Sequence, residues 1–524
     1  MSDRDDPRTV EEAADRRLSP AAQSDVATVA KGGAVQIAGQ MSQRGLSYVF
    51  GAVFTILLGT PAYGLYRSIS QVLANVSQLG LAGFNYAAMR FIARARAAGD
   101  PAGVRGAARV ALIATAATSL VVAAVFLLFT QPLANLFTEN DGRGGEAEFL
   151  RLLRIGAPYI PLFALLQTLR YCTQGYKTMV PSVVAGNIVQ PVVRFVLGVA
   201  AVVVGLGVAG AVVSLTISIA AAAAVAAWWF MRLLTPEERG TPPHADARAM
   251  FRFALPQGGA SLLGIQTLGL GILILQAVDT NQVVGFFAVA LALQGPGNLF
   301  LGGIVNIWAP VVSELHGKGE IDRLDSLYKT INRWIATFSF PVFVALLLEP
   351  DFFTKFYGST AAGAASAVAI LAIGNFFYTG TGPTGYVISM SGHPTINLIN
   401  SAVGVALYLV LGIWAARTHG LVGMAWVDTG VTALINVARV IEAKALVGVQ
   451  PFGKSFLKPV LASIAGGAVL LAWRLVPGDS TVVEIAGIVA AGAAYVLALK
   501  LQGLDEEEAY VLRRIKKRML RRGR

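Results

Sequence analysis

Gln36, Gln40, Gln43, Arg44 and Ser47 recur along an otherwise apolar stretch at i, i+4, i+7, i+8 and i+11. That spacing places them on one face of a helix. Amides and a guanidinium on a shared face suit an anionic, hydrogen-bonding group. The stripe either lines a wet cavity or packs on a neighbouring helix. Arg194, just after Gln190 and Pro191, and Arg67 also interrupt apolar runs. Ionisable residues at such depth cost roughly 2.5–3.5 kcal/mol each, so a function is their default reading. The alternative is bonding to backbone carbonyls. Asp428, with Thr429 and Thr432 nearby, could bind Na⁺ or cycle a proton together with Asn400, or serve as a structural hydrogen-bonding group. Neither Gly-x-x-x-x-Gly-Lys-Ser/Thr nor His-Glu-x-x-His occurs, so the chemistry expected is binding and movement, not catalysis.

The elements that must position these residues are membrane helices. Of 524 residues, 55% are hydrophobic and 14% charged. A soluble protein of this length carries about 25% charged residues. The apolar runs do not alternate as barrel strands would, so the fold class is an all-α membrane protein of about fourteen spans. The expected spans are 32–59, 63–92, 104–130, 149–174, 180–204, 208–234, 251–276, 281–312, 326–348, 359–389, 394–416, 420–445, 455–476 and 480–501.

Charge in the connecting loops alternates. One set carries Arg94, Arg96, Arg105, Lys177, Arg239, Arg248, Lys318, Arg323 and Lys454; the other carries little beyond Arg143, Lys355, Arg417 and Arg474. This pattern places both termini on the cytoplasmic side of a cytoplasmic membrane. Residues 1–30 read as a disordered tail without a cleavable signal. The polybasic segment 502–524 reads as a contact for anionic lipid. The net charge of +12 therefore reflects topology, and nucleic-acid binding is not expected.

Self-similarity organises the chain further. Pro181, Asn187, Gly207 and Gly210 recur as Pro394, Asn400, Gly420 and Gly423 at a step of 213 residues. Gln36, Gln40 and Gly64 pair with Gln257, Ser261 and Gly285 at 221, and Gly99-Asp100 answers Gly319-Glu320. Two parallel six-helix repeats follow: a lobe over 31–234, a linker over 235–250, a second lobe over 251–446, and two extra helices over 447–501. Arg44, Arg67 and Arg194 align with Ile265, Ala288 and Leu407. The first lobe is thus expected to be cationic where the second is apolar.

Several motifs are familiar together. Leu58-Gly59 precedes Tyr63-Gly64-Leu65-Tyr66, and Gln78-Leu79-Gly80-Leu81 precedes Arg90-Phe91-Ile92-Ala93; Gln174-Gly175-Tyr176 follows later. With the Gly207/Gly210 turn, they make a chain that resembles the polysaccharide or O-antigen flippase branch of the multidrug/oligosaccharidyl-lipid/polysaccharide exporter superfamily. The resemblance implies two lobes around a central cavity and the flipping of polyprenyl-diphosphate-linked glycans by alternating access. It also implies Na⁺ or H⁺ as coupling ion with no other cofactor, and a glycan polymerase or glycosyltransferases as partners. An ion-coupled exporter of drugs or metabolites is the alternative. A membrane glycosyltransferase or ligase would need a large outer loop, and the longest expected one spans only Phe137–Phe149.

Overall fold

The computed structural model describes residues 20–137, 142–176, 178–262, 269–476 and 480–503. Every regular element among them is a helix. The tail residues 1–19 and 504–524 lie outside the described residues. The first helix runs Pro20–Leu58, twelve residues earlier than the expected start at 32. Pro20 fits the first turn, and the Ala- and Gln-containing segment after it favours helix.

Among the described residues, ten segments are long and apolar enough to cross a membrane. One of them, Pro394–Val447, is 54 residues long and would measure roughly 80 Å if straight, far beyond a hydrocarbon core of about 30 Å. Gly420 breaks it with φ 54 and ψ −131, dividing it where two spans were expected.

Several other expected spans are interrupted, and for identifiable reasons. The span over 63–92 is two helices, Thr60–Leu81 and Phe84–Ala97, separated by Ala82 and Gly83 at positive φ. The span over 149–174 breaks before Pro158. That over 281–312 passes through a short 3-10 turn at Pro296–Asn298, and that over 359–389 turns at Gly382. The helix around Asn187 widens into a π turn over Val184–Val189. Pro191 explains this: its ring would clash with the carbonyl of Asn187 in a regular α-helix.

The chain forms two compact units, one of Met1–Phe50, Val72–Pro132 and Leu150–Leu262, the other of Gly51–Gln71, Leu133–Phe149 and Leu263–Arg524. Segments 51–71 and 133–149 thus group with the second unit, unlike the expected lobe boundary at 234. Direct contacts hold them there. Gly64 abuts the backbone of Gly285, the Tyr63 ring lies 6.3 Å from Tyr357, and Gln276 Nε2 donates to Phe137 O at 2.9 Å.

In the first unit, the linker after Leu233 is fastened by polar contacts. Thr235 and Glu238 form a capping box, and Glu238 accepts from the Tyr176 hydroxyl at 2.8 Å. Arg96 lies 3.7 Å from Glu238 and stands 4.1 Å over the Tyr176 ring. Burial, followed by the Glu238 acceptor, holds the Tyr176 hydroxyl above the usual phenol range. In the second unit, two basic exceptions to the loop charge pattern are neutralised. Lys355 pairs with Glu484 at 2.7 Å and Arg474 with Glu349 at 2.9 Å.

Local geometry repeats as the sequence does. Gly207 and Gly420 adopt φ 55 and 54. Gly99 and Gly319 adopt φ 65 and 73, and the following residues make matching bonds: Asp100 N to Ala95 O and Glu320 N to Leu315 O, both 2.9 Å. Equivalent glycines therefore mark equivalent helix boundaries in the left-handed conformation that side chains resist.

Candidate functional site: a polar chamber and a buried guanidinium

The second unit contains a chamber of about 490 Å³, within the size range of small-molecule sites. Helix ends help build it: Gly269 and Leu270 come from the start of the Leu270–Val278 helix, and Gln294 and Asn298 from the break at Pro296–Asn298. Membrane transporters commonly place such discontinuities around a site because freed backbone groups can face a cavity.

The two arms of Pro394–Val447 supply the rest. The second arm presents Asp428, Thr432, Asn436 and Arg439 at helical spacing, and the first presents Asn400, Ser401 and Tyr408. The Tyr408 hydroxyl donates to Asp428 Oδ1, so the half-buried carboxylate has a neutral donor beside it. Asn400 donates to Glu442, outside the chamber wall. Arg439 reaches Ser401 Oγ at 3.5 Å, while its Nε has no hydrogen-bond partner among the described residues. Asn298 donates to Asn375 Oδ1 at 2.7 Å, and Gln294 to Val368 O at 3.0 Å.

Asp428 and Asn400, the residues expected to work together on an ion, therefore line the same chamber. The expected contrast concerned only the aligned positions Ile265, Ala288 and Leu407, the first of which lies outside the described residues. Away from those positions, this unit carries its own buried guanidinium, Arg439, at 5% exposure. The sequence signal was present: Asp428, Thr432, Asn436 and Arg439 form a stripe like that on the first helix.

In the first unit, the Pro20–Leu58 helix runs beside the segment after Pro181. A side chain on Gly39 would strike Val183 and Asn187, and Gly198 lies against the Phe50 ring. Between these contacts Arg194 donates from Nη2 to Ser47 Oγ at 3.0 Å, with its guanidinium 5.0 Å from the Phe50 ring centre. Arg194 Nε is buried and has no hydrogen-bond partner among the described residues. Ser47 and, by helical spacing, Gln43 thus belong to the face that packs on this neighbour. Gln40 is half-buried and Arg44 exposed; the Gln36 side chain lies outside the described residues. Arg67 is half-buried in the second unit, its Nε likewise without a partner among the described residues.

Arg170 was not anticipated. Its Nε donates to Ser182 O and Oγ at 3.0 and 3.1 Å, Nη1 to Gln167 Oε1 and Nη2 to Asn187 Oδ1, each at 3.0 Å. A fork engaged by several neutral acceptors is a structural device.

Comparisons with known proteins agree with this architecture. A model of the family described as "Polysaccharide biosynthesis protein" matches residues 29–316. No curated protein matches the chain by sequence. Among solved structures, the lipid II flippase MurJ in an inward closed conformation is similar, with a TM-score of 0.69 at 12% identity, over 88% of this chain and 97% of that one. An inward-facing multidrug resistance MATE transporter of the MOP superfamily gives 0.59 at 16%, over 79% and 98%. A MOP superfamily transporter from Pyrococcus furiosus gives 0.54 at 16%, over 80% and 95%. The fold is therefore that of the MOP transporters. With the family match spanning more than half of its length, the chain belongs to the polysaccharide biosynthesis protein family, with the multi-pass fold of the MOP transporters.

Proposed function

We propose that this transporter flips a lipid-linked oligosaccharide or polysaccharide precursor across the cytoplasmic membrane by alternating access, with both termini cytoplasmic. The observation that carries the reading is the incomplete satisfaction of Arg194. A guanidinium part-way along an apolar helix gives one N–H to Ser47 and keeps a buried Nε without an acceptor among the described residues. Removing such a cation from water is costly unless an anion or several acceptors replace the water. A diphosphate-linked cargo would supply charged acceptors suited to the planar fork. Arg439 presents the same incompleteness in the second unit.

Coupling to Na⁺ or H⁺ is assigned to Asp428, with Tyr408 and Asn400 in the same chamber. Anionic lipid at the 502–524 tail and glycan-assembling enzymes remain the partners expected. Polyprenyl-diphosphate-linked sugars reconstituted with the protein in liposomes test the reading. Protein-dependent transbilayer movement that falls in Arg194→Ala supports it. Absence of movement for every such lipid, together with efflux of cationic drugs, would establish the exporter alternative.

A further inference from the structure

A second cavity, of about 210 Å³, opens in the first unit where the helix ending at Leu81 gives way to Phe84–Ala97. The break is strained. Ala82 has φ 44, the only positive value for a non-glycine among the described residues, and Gly83 follows at φ 80. A side chain on Gly83 would collide with Ala254 O and Gly258 N, so the Ala247–Leu262 helix holds the turn in place. Strain of this kind persists where surrounding packing enforces it, and it gathers at binding sites. Here it sets Asn85 and Tyr86 into the cavity wall.

The polar lining is uncharged: Gln78, Asn85, Tyr86, Gln167 and Tyr171. Asn85 is 4% exposed, and its Oδ1 has no hydrogen-bond partner among the described residues. A buried carbonyl oxygen in that state needs a donor. Gln167 offers the complement. Its Oε1 accepts from Arg170, and a guanidinium can only donate, so the amide orientation is fixed. The Nε2 group is then the part of Gln167 available to a ligand. Arg170 acts here as a positioning residue, since Ser182 and Asn187 hold its remaining nitrogens. The rings of Tyr86 and Tyr171 meet edge to face at 5.0 Å.

An anion would find no cation in this lining, and an apolar group would leave the Asn85 oxygen unpaired. Sugar hydroxyls both donate and accept, and the C–H face of a sugar ring packs on aromatic surfaces. We propose that this cavity is a subsite for one neutral sugar residue of the cargo. Asn85 Oδ1 accepts from one hydroxyl, and Gln167 Nε2 donates to another. The assignment rests on the lipid-linked saccharide reading above and adds where the glycan itself is recognised.

Purified full-length protein in nanodiscs tests it with two probes, polyprenyl diphosphate and the same lipid carrying a single neutral hexose. Wild type is expected to bind the hexosyl lipid about tenfold more tightly than the bare lipid. Asn85→Ser and Gln167→Glu should each keep the bare-lipid affinity and lose that preference. Tyr86→Phe, a smaller change at a half-buried position, should weaken the preference if the fold cannot tolerate Asn85→Ser. Full preference in all variants overturns the subsite, as does a wild type that binds both lipids equally. A wild type that binds neither lipid overturns the saccharide-lipid reading along with the subsite, which sets that failure apart.

Discussion

Gly64 and Gly285, equivalent in the two sequence repeats, meet backbone to backbone. A side chain on Gly64 would strike Asn281 O and Gly285 N, and one on Gly285 would strike Thr60 O. Thr60 and Asn281 are separated by the same 221-residue step as the glycines. The contact is reciprocal, as in a two-fold interface between identical subunits. Small residues at a membrane helix crossing allow this approach.

Leucine at either glycine should therefore disrupt the crossing. Overpacking costs about 1–3 kcal/mol, so Gly64→Leu and Gly285→Leu are each expected to slow transport roughly 5- to 150-fold. Proteoliposome flipping rates, normalised to protein in the membrane, check this. Unchanged rates in both variants would mean that the crossing has slack the geometry does not suggest.

Arg194→Ala should reduce flipping by roughly 10- to 100-fold, the range for losing hydrogen bonds to a charged group. Arg194→Lys should recover part of the rate, because a point charge retains attraction but loses the fork. Ser47→Ala, which removes only the neutral partner, should cost tenfold or less. The three rates measured on one lipid probe distinguish cargo binding from helix packing. Equal losses in Ser47→Ala and Arg194→Ala would favour packing.

Asp428→Asn should abolish the dependence of transport on the Na⁺ or H⁺ gradient. Tyr408→Phe leaves the carboxylate in place and removes its neighbouring donor, so ion dependence should persist with a shifted half-saturation. Transport assayed against imposed gradients of each ion reads both effects. Gradient dependence that survives Asp428→Asn unaltered would remove the residue from coupling.

Gly207→Ala and Gly420→Ala place a side chain where φ is near +55. Such positions cost non-glycine residues roughly 1–3 kcal/mol. Both variants should lower the thermal unfolding midpoint in detergent. Gly99→Ala and Gly319→Ala, at the other repeated helix ends, should do the same. A midpoint that does not move in any of the four would argue against strain as the reason for glycine.

Hydropathy made the all-helical membrane fold legible, and the repeat was legible because glycines at helix ends have a backbone reason to recur. The breaks were harder to see. Ala82 is not a breaker by residue type, and only packing of Gly83 on the Ala247–Leu262 helix imposes its conformation. Asp428 and Asn400 could be singled out because a carboxylate and an amide stand out in apolar runs. Arg439 needed the same stripe analysis applied near the end of its span. Arg170 could not be judged from spacing at all, since its acceptors sit up to 17 residues away across a loop.

The π turn at Val184–Val189 has a consequence for register. A turn of this kind accommodates one residue more than an α-helix, which rotates everything after it by about 100°. A regular α-helix over the same residues would have the same hydropathy and would insert equally well. It would, however, bring Val193 to the place opposite Ser47 and swing Arg194 aside. The widened turn thus decides which side chain is aimed, and a substitution that straightened it would silence the carrier without unfolding it.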